Sequence, residues 1–121
     1  MSVIINTREV GGFVVLDMSG RLTILDNSLR ETIHELLKDG KRQFILKMNE
    51  LSYIDSCGLG QLVSVYVSVR NAGGILRLLS PSEKPRELLH ISKLDTVFDI
   101  FEDAAPFEQA SSSTASPNSV P

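Results

Sequence analysis

Tryptophan is absent from this chain, cysteine occurs once and histidine only twice. Each shortage closes a class of function. A lone cysteine, Cys57, cannot form an internal disulfide, which fits a reducing compartment. His34 and His90 lie on separate helical segments, and no His/Cys/carboxylate group has metal-ligand spacing, so no metal and no other cofactor is expected. Five Phe and two Tyr are too few for an aromatic platform that stacks bases. A net charge of −3 supplies no clustered basic surface, which excludes nucleic acid as the expected partner. No apolar run approaches the ~20 residues that span a bilayer, so no membrane partner is expected. The start, Met1-Ser2-Val3-Ile4, lacks the basic region and long apolar core of a secretory signal. A cytoplasmic protein is the expectation.

What is present is ordinary for a globular domain. The 121 residues are 42% hydrophobic and 22% charged, enough for one domain with a real core. Val3 to Arg8 and Phe13 to Met18 are apolar runs around Gly11-Gly12, the pattern of a β-hairpin. Gly20 is expected to end the second strand, with Arg21 to Leu25 a short further one. Ser28 to Glu31 fits a capping box, and Leu29, Ile33, Leu36 and Leu37 follow at helical spacing. Lys38 and Gly40 supply a cationic last turn and a stop.

Phe44 to Met48 reads as a buried central strand. The segment after it holds a conflict. Leu59, Leu62, Val63 and Tyr66 fit one helical face, but Val63 to Val69 alternates with period two. A parallel crossover to the next strand, Ile75 to Leu79, needs a helix between, so the helix is preferred. Gly73-Gly74 closes it. Ser82 and Pro85 open a further helix that is expected to bury Leu88, Leu89 and Ile91. Val97 to Phe101 reads as a last strand and Glu102 to Ala110 as a final helix. Residues 111–121 are rich in Ser and Pro and are expected to be disordered. The sum is an α/β domain over residues 1–110, with a mixed-direction central sheet and about four helices.

The segment Tyr53-Ile54-Asp55-Ser56-Cys57-Gly58-Leu59-Gly60 carries the chemistry. It joins a strand to a helix, so Ser56 falls at a helix start, where N–H groups are unpaired and the dipole is positive. A hydroxyl there is well placed for a reversible phosphate, which adds about −1.5 to −2 charge and three acceptor oxygens. The plainer possibility is that Ser56, or Asp55, only caps the helix. Cys57 at a helix start invites a nucleophile reading, but a base is missing, and Cys57 fits as a small filler. Gly58 and Gly60 lack the spacing of a P-loop or a dinucleotide fingerprint and suit close backbone packing.

Asp55-Ser56-Cys57-Gly58-Leu59-Gly60 resembles the Asp-Ser-small-Gly-Leu-Gly signature of bacterial anti-sigma factor antagonists, which are single STAS domains. The likeness runs from about Val3 to Phe107. Ser19-Gly20-Arg21-Leu22, Leu51-Ser52-Tyr53-Ile54, Ala72-Gly73-Gly74 and Leu94-Asp95-Thr96-Val97-Phe98 support it. The resemblance implies a protein-binding switch and no enzyme. Ser56 would be phosphorylated by an anti-sigma factor that is also a serine kinase, and a PP2C-type phosphatase would reset it. Asp55, Ser56, Cys57, Gly58 and Thr23 would meet the partner, and the protein would be a monomer or weak dimer. The likeness breaks after Gly20. Family members carry an acidic residue, Leu and Asp there; this chain has Arg21, Leu22 and Thr23, so an Asp of the family's partner and nucleotide surface is replaced. Two other classes stay open: an unphosphorylated STAS scaffold of a transporter or signalling complex, and a small thiol or serine hydrolase.

Overall fold

A computed structural model describes residues 3–23 and 27–102. The expected final helix beyond Glu102 and the tail at 111–121 lie outside the described residues, as do positions 24 and 25 of the short strand expected after Gly20.

Among the described residues nine elements follow in order: β1 (Val3–Val10), β2 (Phe13–Leu22), α1 (Ser28–Lys38), β3 (Gln43–Ile54), α2 (Ser56–Asn71), β4 (Ile75–Leu79), α3 (Glu83–Ile91), a 3-10 turn (Leu94–Thr96) and β5 (Asp99–Phe101). The five strands form one sheet in the order β1-β2-β3-β4-β5. β1 and β2 pair antiparallel, and the later pairs are parallel. Gly11 and Gly12 both adopt positive φ, +57° and +91°, as the two-residue hairpin turn requires. The fold is therefore α/β with a mixed sheet, as the sequence implied, with three α-helices among the described residues.

Each parallel step moves the chain one strand in the same direction. Right-handed crossovers of that kind leave all the helices on one face. The core agrees. Leu29 and Ile33 of α1, Leu62, Val65 and Val69 of α2, and Leu89 of α3 pack with Leu16, Phe44, Leu46, Met48 and Leu78 of the sheet. The other face carries a small separate cluster of Val15, Ile45 and Leu79, edged by Val10, Phe13 and Phe101.

Two strands run longer than their period-two patterns suggested. β2 continues through Gly20, which takes φ +94°, to Leu22. β3 continues past Met48 to Ile54. The cause is irregular pairing: register shifts fall between Asp17 and Ser19 and between Gly20 and Arg21 of β2. Inward positions on β3 are 44, 46 and 48, then 51 and 54, so each shift inserts one residue and breaks the alternation.

Helix ends give further corrections. Asn27, not Ser28, stands at the N-cap of α1, and its Nδ2 reaches Glu31 Oε2 at 3.4 Å. Ile91, expected inside, is 71% exposed. It lies two residues past buried Leu89, about 200° around the helix. The last strand starts at Asp99 rather than Val97, because Leu94–Thr96 form the 3-10 turn. At the end of α2, Gly73 (φ +83°) and Gly74 donate to the Arg70 and Val69 carbonyls at 2.9 and 2.8 Å, which stops the helix as the sequence indicated.

Candidate functional site

β2 and β3 end side by side, with Leu22 paired to Ile54. The next residues, Thr23 and Asp55, therefore emerge together at the carboxyl ends of parallel strands. That rim is where open α/β sheets place their binding residues.

Asp55 is the N-cap of α2. Its backbone is extended (φ −106°, ψ −176°), and its Oδ1 accepts from the Gly58 N–H at 2.7 Å. Its carbonyl accepts the first helical bond, from Leu59 N–H, at 2.8 Å. Ser56 is thus the first helical residue and not the cap. Its side chain is exposed and makes no hydrogen bond among the described residues. The cap leaves the hydroxyl free, beside first-turn N–H groups that the helix cannot pair.

Three contacts lock this turn to the end of β2. Asp55 N–H donates to the Leu22 carbonyl at 3.4 Å. Gly58 is buried, and a Cβ there would come within 2.9 Å of both the Leu22 carbonyl carbon and Ile54 Cγ1. Only glycine allows that approach. Gln61, 5% exposed, donates from Nε2 to the Thr23 carbonyl at 2.8 Å. Its Oε1 is buried with no partner among the described residues.

Sequence reasoning missed Gln61. The signal was a lone amide between Leu59 and Leu62 on the inward side of an apolar helix. The expected partner residues separate into two kinds. Ser56 and Cys57 are exposed and Asp55 and Thr23 half-buried, whereas Gly58 lies beneath them as a spacer. Gly60 has open space around it, so close packing explains Gly58 and not Gly60.

Arg21 is also at this rim. It pairs with Tyr53 in the β2–β3 register, and its guanidinium carbon lies 4.4 Å from the centre of the Tyr53 ring. The Ser52 hydroxyl donates to the Gly20 carbonyl at 3.0 Å, tying the same strand ends again. Neither histidine serves Cys57. His90 of α3 faces Asp95 of the 3-10 turn at 3.0 Å, and His34 lines a groove with Ser64 and Ser68, about two turns along α2. Among the described residues no group of three or more His, Cys, Asp or Glu gathers. No helix among them is long and apolar enough to cross a membrane.

The family model of the STAS domain matches residues 5–105. The chain belongs to the STAS domain family. Its relatives share a theme. One of Thermotoga neapolitana, named as an anti-sigma factor antagonist, is 34% identical over 68 residues, which cover 56% of this chain. The aligned stretch spans only 60% of that relative's length. The anti-sigma-B factor antagonist of Bacillus subtilis is 28% identical over 101 residues, 83% of this chain and 92% of its own. The crystal structure of a Thermotoga maritima protein named as an anti-sigma factor antagonist superposes with a TM-score of 0.78 at 26% identity, covering 88% of this chain and 93% of that one. In this STAS domain the matched span takes in the whole rim, from Arg21 to Gln61.

Proposed function

We propose that this STAS domain is an anti-sigma factor antagonist whose binding is switched by phosphorylation of Ser56. The unphosphorylated form binds an anti-sigma factor that is also a serine kinase, and so releases a sigma factor. The kinase modifies Ser56, the complex separates, and a PP2C-type phosphatase restores the first state. The names of the relatives support the general role. The observation that carries the switch is Ser56: its side chain is exposed and makes no hydrogen bond among the described residues, on a turn held by Asp55, Gly58 and Gln61.

The physical sequence is short. Because Asp55 does the capping, a kinase can take the Ser56 hydroxyl without undoing the helix. The phosphate then sits at the positive end of α2, where an anion is tolerated or mildly stabilising. The fold survives, and the change falls on the interface. Nearly two charges beside Asp55 add repulsion and desolvation cost to the bound state. A loss of about 3 kcal/mol weakens binding more than a hundredfold. Thr23, Asp55, Ser56 and Cys57 form the contact surface, with Gly58 setting its height.

The test is a titration of wild type, Ser56→Ala and Ser56→Asp against the partner kinase, with mass spectrometry of the wild type after incubation with ATP. Phosphate is expected on Ser56 alone. Ser56→Ala should bind and take no phosphate, and Ser56→Asp should bind more weakly. Phosphate elsewhere, or full-strength binding by Ser56→Asp, would sink the switch and leave an unphosphorylated scaffold.

A further inference from the structure

Arg21 is exposed and lies over Tyr53 at 4.4 Å, and it makes no ion pair or hydrogen bond among the described residues. Three other cations, one each on β1, in the loop before β3 and on α3, are engaged. Arg8 meets Asp17 at 2.8 Å, Lys41 meets Glu9 at 2.8 Å and Arg86 meets Glu102 at 2.6 Å. A guanidinium donates through the N–H groups at its edge, a planar fork matched to a carboxylate, and no described residue accepts from those of Arg21. Stacking also limits the rotamers of Arg21 beforehand, so less freedom is lost when a partner arrives.

The place matters as much as the group. Arg21 directly precedes Leu22, whose carbonyl takes the Asp55 N–H and abuts Gly58. It therefore stands at the same strand ends as the start of α2 and Ser56. Asp55 is the acidic group within this turn, and its Oδ1 is already held by Gly58 N–H. Among the described residues the rim thus offers a guanidinium without an acceptor, at the strand ends from which α2 begins, on a chain whose net charge is −3. One local cation on an acidic protein suits a single carboxylate and not a polyanion, which needs a basic cluster.

We infer that the partner docks an acidic side chain, an Asp or a Glu, on Arg21. This rests on the Ser56 switch reading and names the chemistry of its interface. It also gives the phosphate an opponent. A dianion on Ser56 puts like charge at the same strand ends as the partner's carboxylate, so the modification repels the partner.

The experiment measures affinity and association rate of wild type, Arg21→Glu, Arg21→Met, Tyr53→Phe and Tyr53→Leu for the serine kinase, at low and high salt. Circular dichroism and melting check that each variant is folded. Arg21→Glu should bind at least ~10-fold more weakly, chiefly through slower association, with a reduced salt dependence. Arg21→Met should fall between, Tyr53→Phe should match wild type, and Tyr53→Leu should weaken binding. Replacing one kinase carboxylate by Lys should restore binding to Arg21→Glu. Binding by Arg21→Glu within about twofold of wild type, or tighter, overturns the inference, as does failure of every carboxylate exchange to restore it. Arg21-dependent retention of a DNA oligonucleotide by wild type would assign the cation to nucleic acid and overturn it too. A kinase that binds wild type and is sensitive to Arg21 but leaves Ser56 unmodified defeats the switch and keeps the acidic contact. A kinase that fails to bind wild type removes both.

Discussion

Gly58 of α2 and Leu22 of β2 touch through their main chains: a Cβ on Gly58 would sit 2.9 Å from the Leu22 carbonyl carbon and closer still to its oxygen. Helix propensity alone favours alanine over glycine by ~1 kcal/mol, so the contact overrides it. Gly58→Ala should therefore destabilise the domain. Gly60→Ala, two residues on and surrounded by open space, should stabilise it by ~0.5–1 kcal/mol. Thermal melting of the two variants should give shifts of opposite sign; equal signs would mean that α2 starts elsewhere.

Asp55→Ala should cost about 1–2 kcal/mol, because the buried Gly58 N–H loses its acceptor. Asp55→Asn, which keeps a capping oxygen, should recover most of that. Urea midpoints of the pair measure it. An Ala variant as stable as wild type would return the cap to Ser56.

Leu62 is fully buried, on the side of α2 that meets the sheet. Leu62→Ala should cost ~2–5 kcal/mol in denaturant unfolding. A near-neutral result would contradict the helical reading of the Val63 to Val69 alternation.

Glu102 tests the pH dependence. The hydrogen bonds of Arg86 hold its carboxyl below the usual 4.5. A lowered folded value favours the ionised form, so the pair contributes above the unfolded value and is lost as pH falls through the folded one. Both side chains are largely exposed, 47% and 64%, so the effect is small and screened by salt. Glu102→Gln should be slightly less stable than wild type at neutral pH. The gap should close as pH drops below the usual carboxylate range, and also on adding salt. A gap that persists in acid would assign the effect to packing.

How much of this was legible in the sequence depended on what fixed each feature. Leu29 and Ile33 sit where helical spacing put them, because one face of α1 meets the core. The Val63 to Val69 stretch is helical because connectivity outranks local pattern: β3 and β4 are parallel neighbours and need a crossover. The strand ends at Leu22 and Ile54 were hidden, since bulged pairing leaves no two-residue period to read. At the site, the exposed Ser56 could be anticipated from the strand-to-helix junction. Asp55 was one of the two cap candidates there, whereas the Gln61 bond to Thr23 could not be anticipated, because it depends on how the end of β2 lies against α2.

The locked turn beside Ser56 is held by backbone groups, the Leu22 carbonyl, the Gly58 N–H and the Thr23 carbonyl, and by two side chains, Asp55 and Gln61. Arg21, Thr23, Ser56 and Cys57 add their side chains to a frame that does not need them. Such a surface can be rewritten residue by residue while its geometry stays constant. Several copies of one domain could then coexist in a single cell, each tuned to its own partner and insulated from the others by side-chain identity alone.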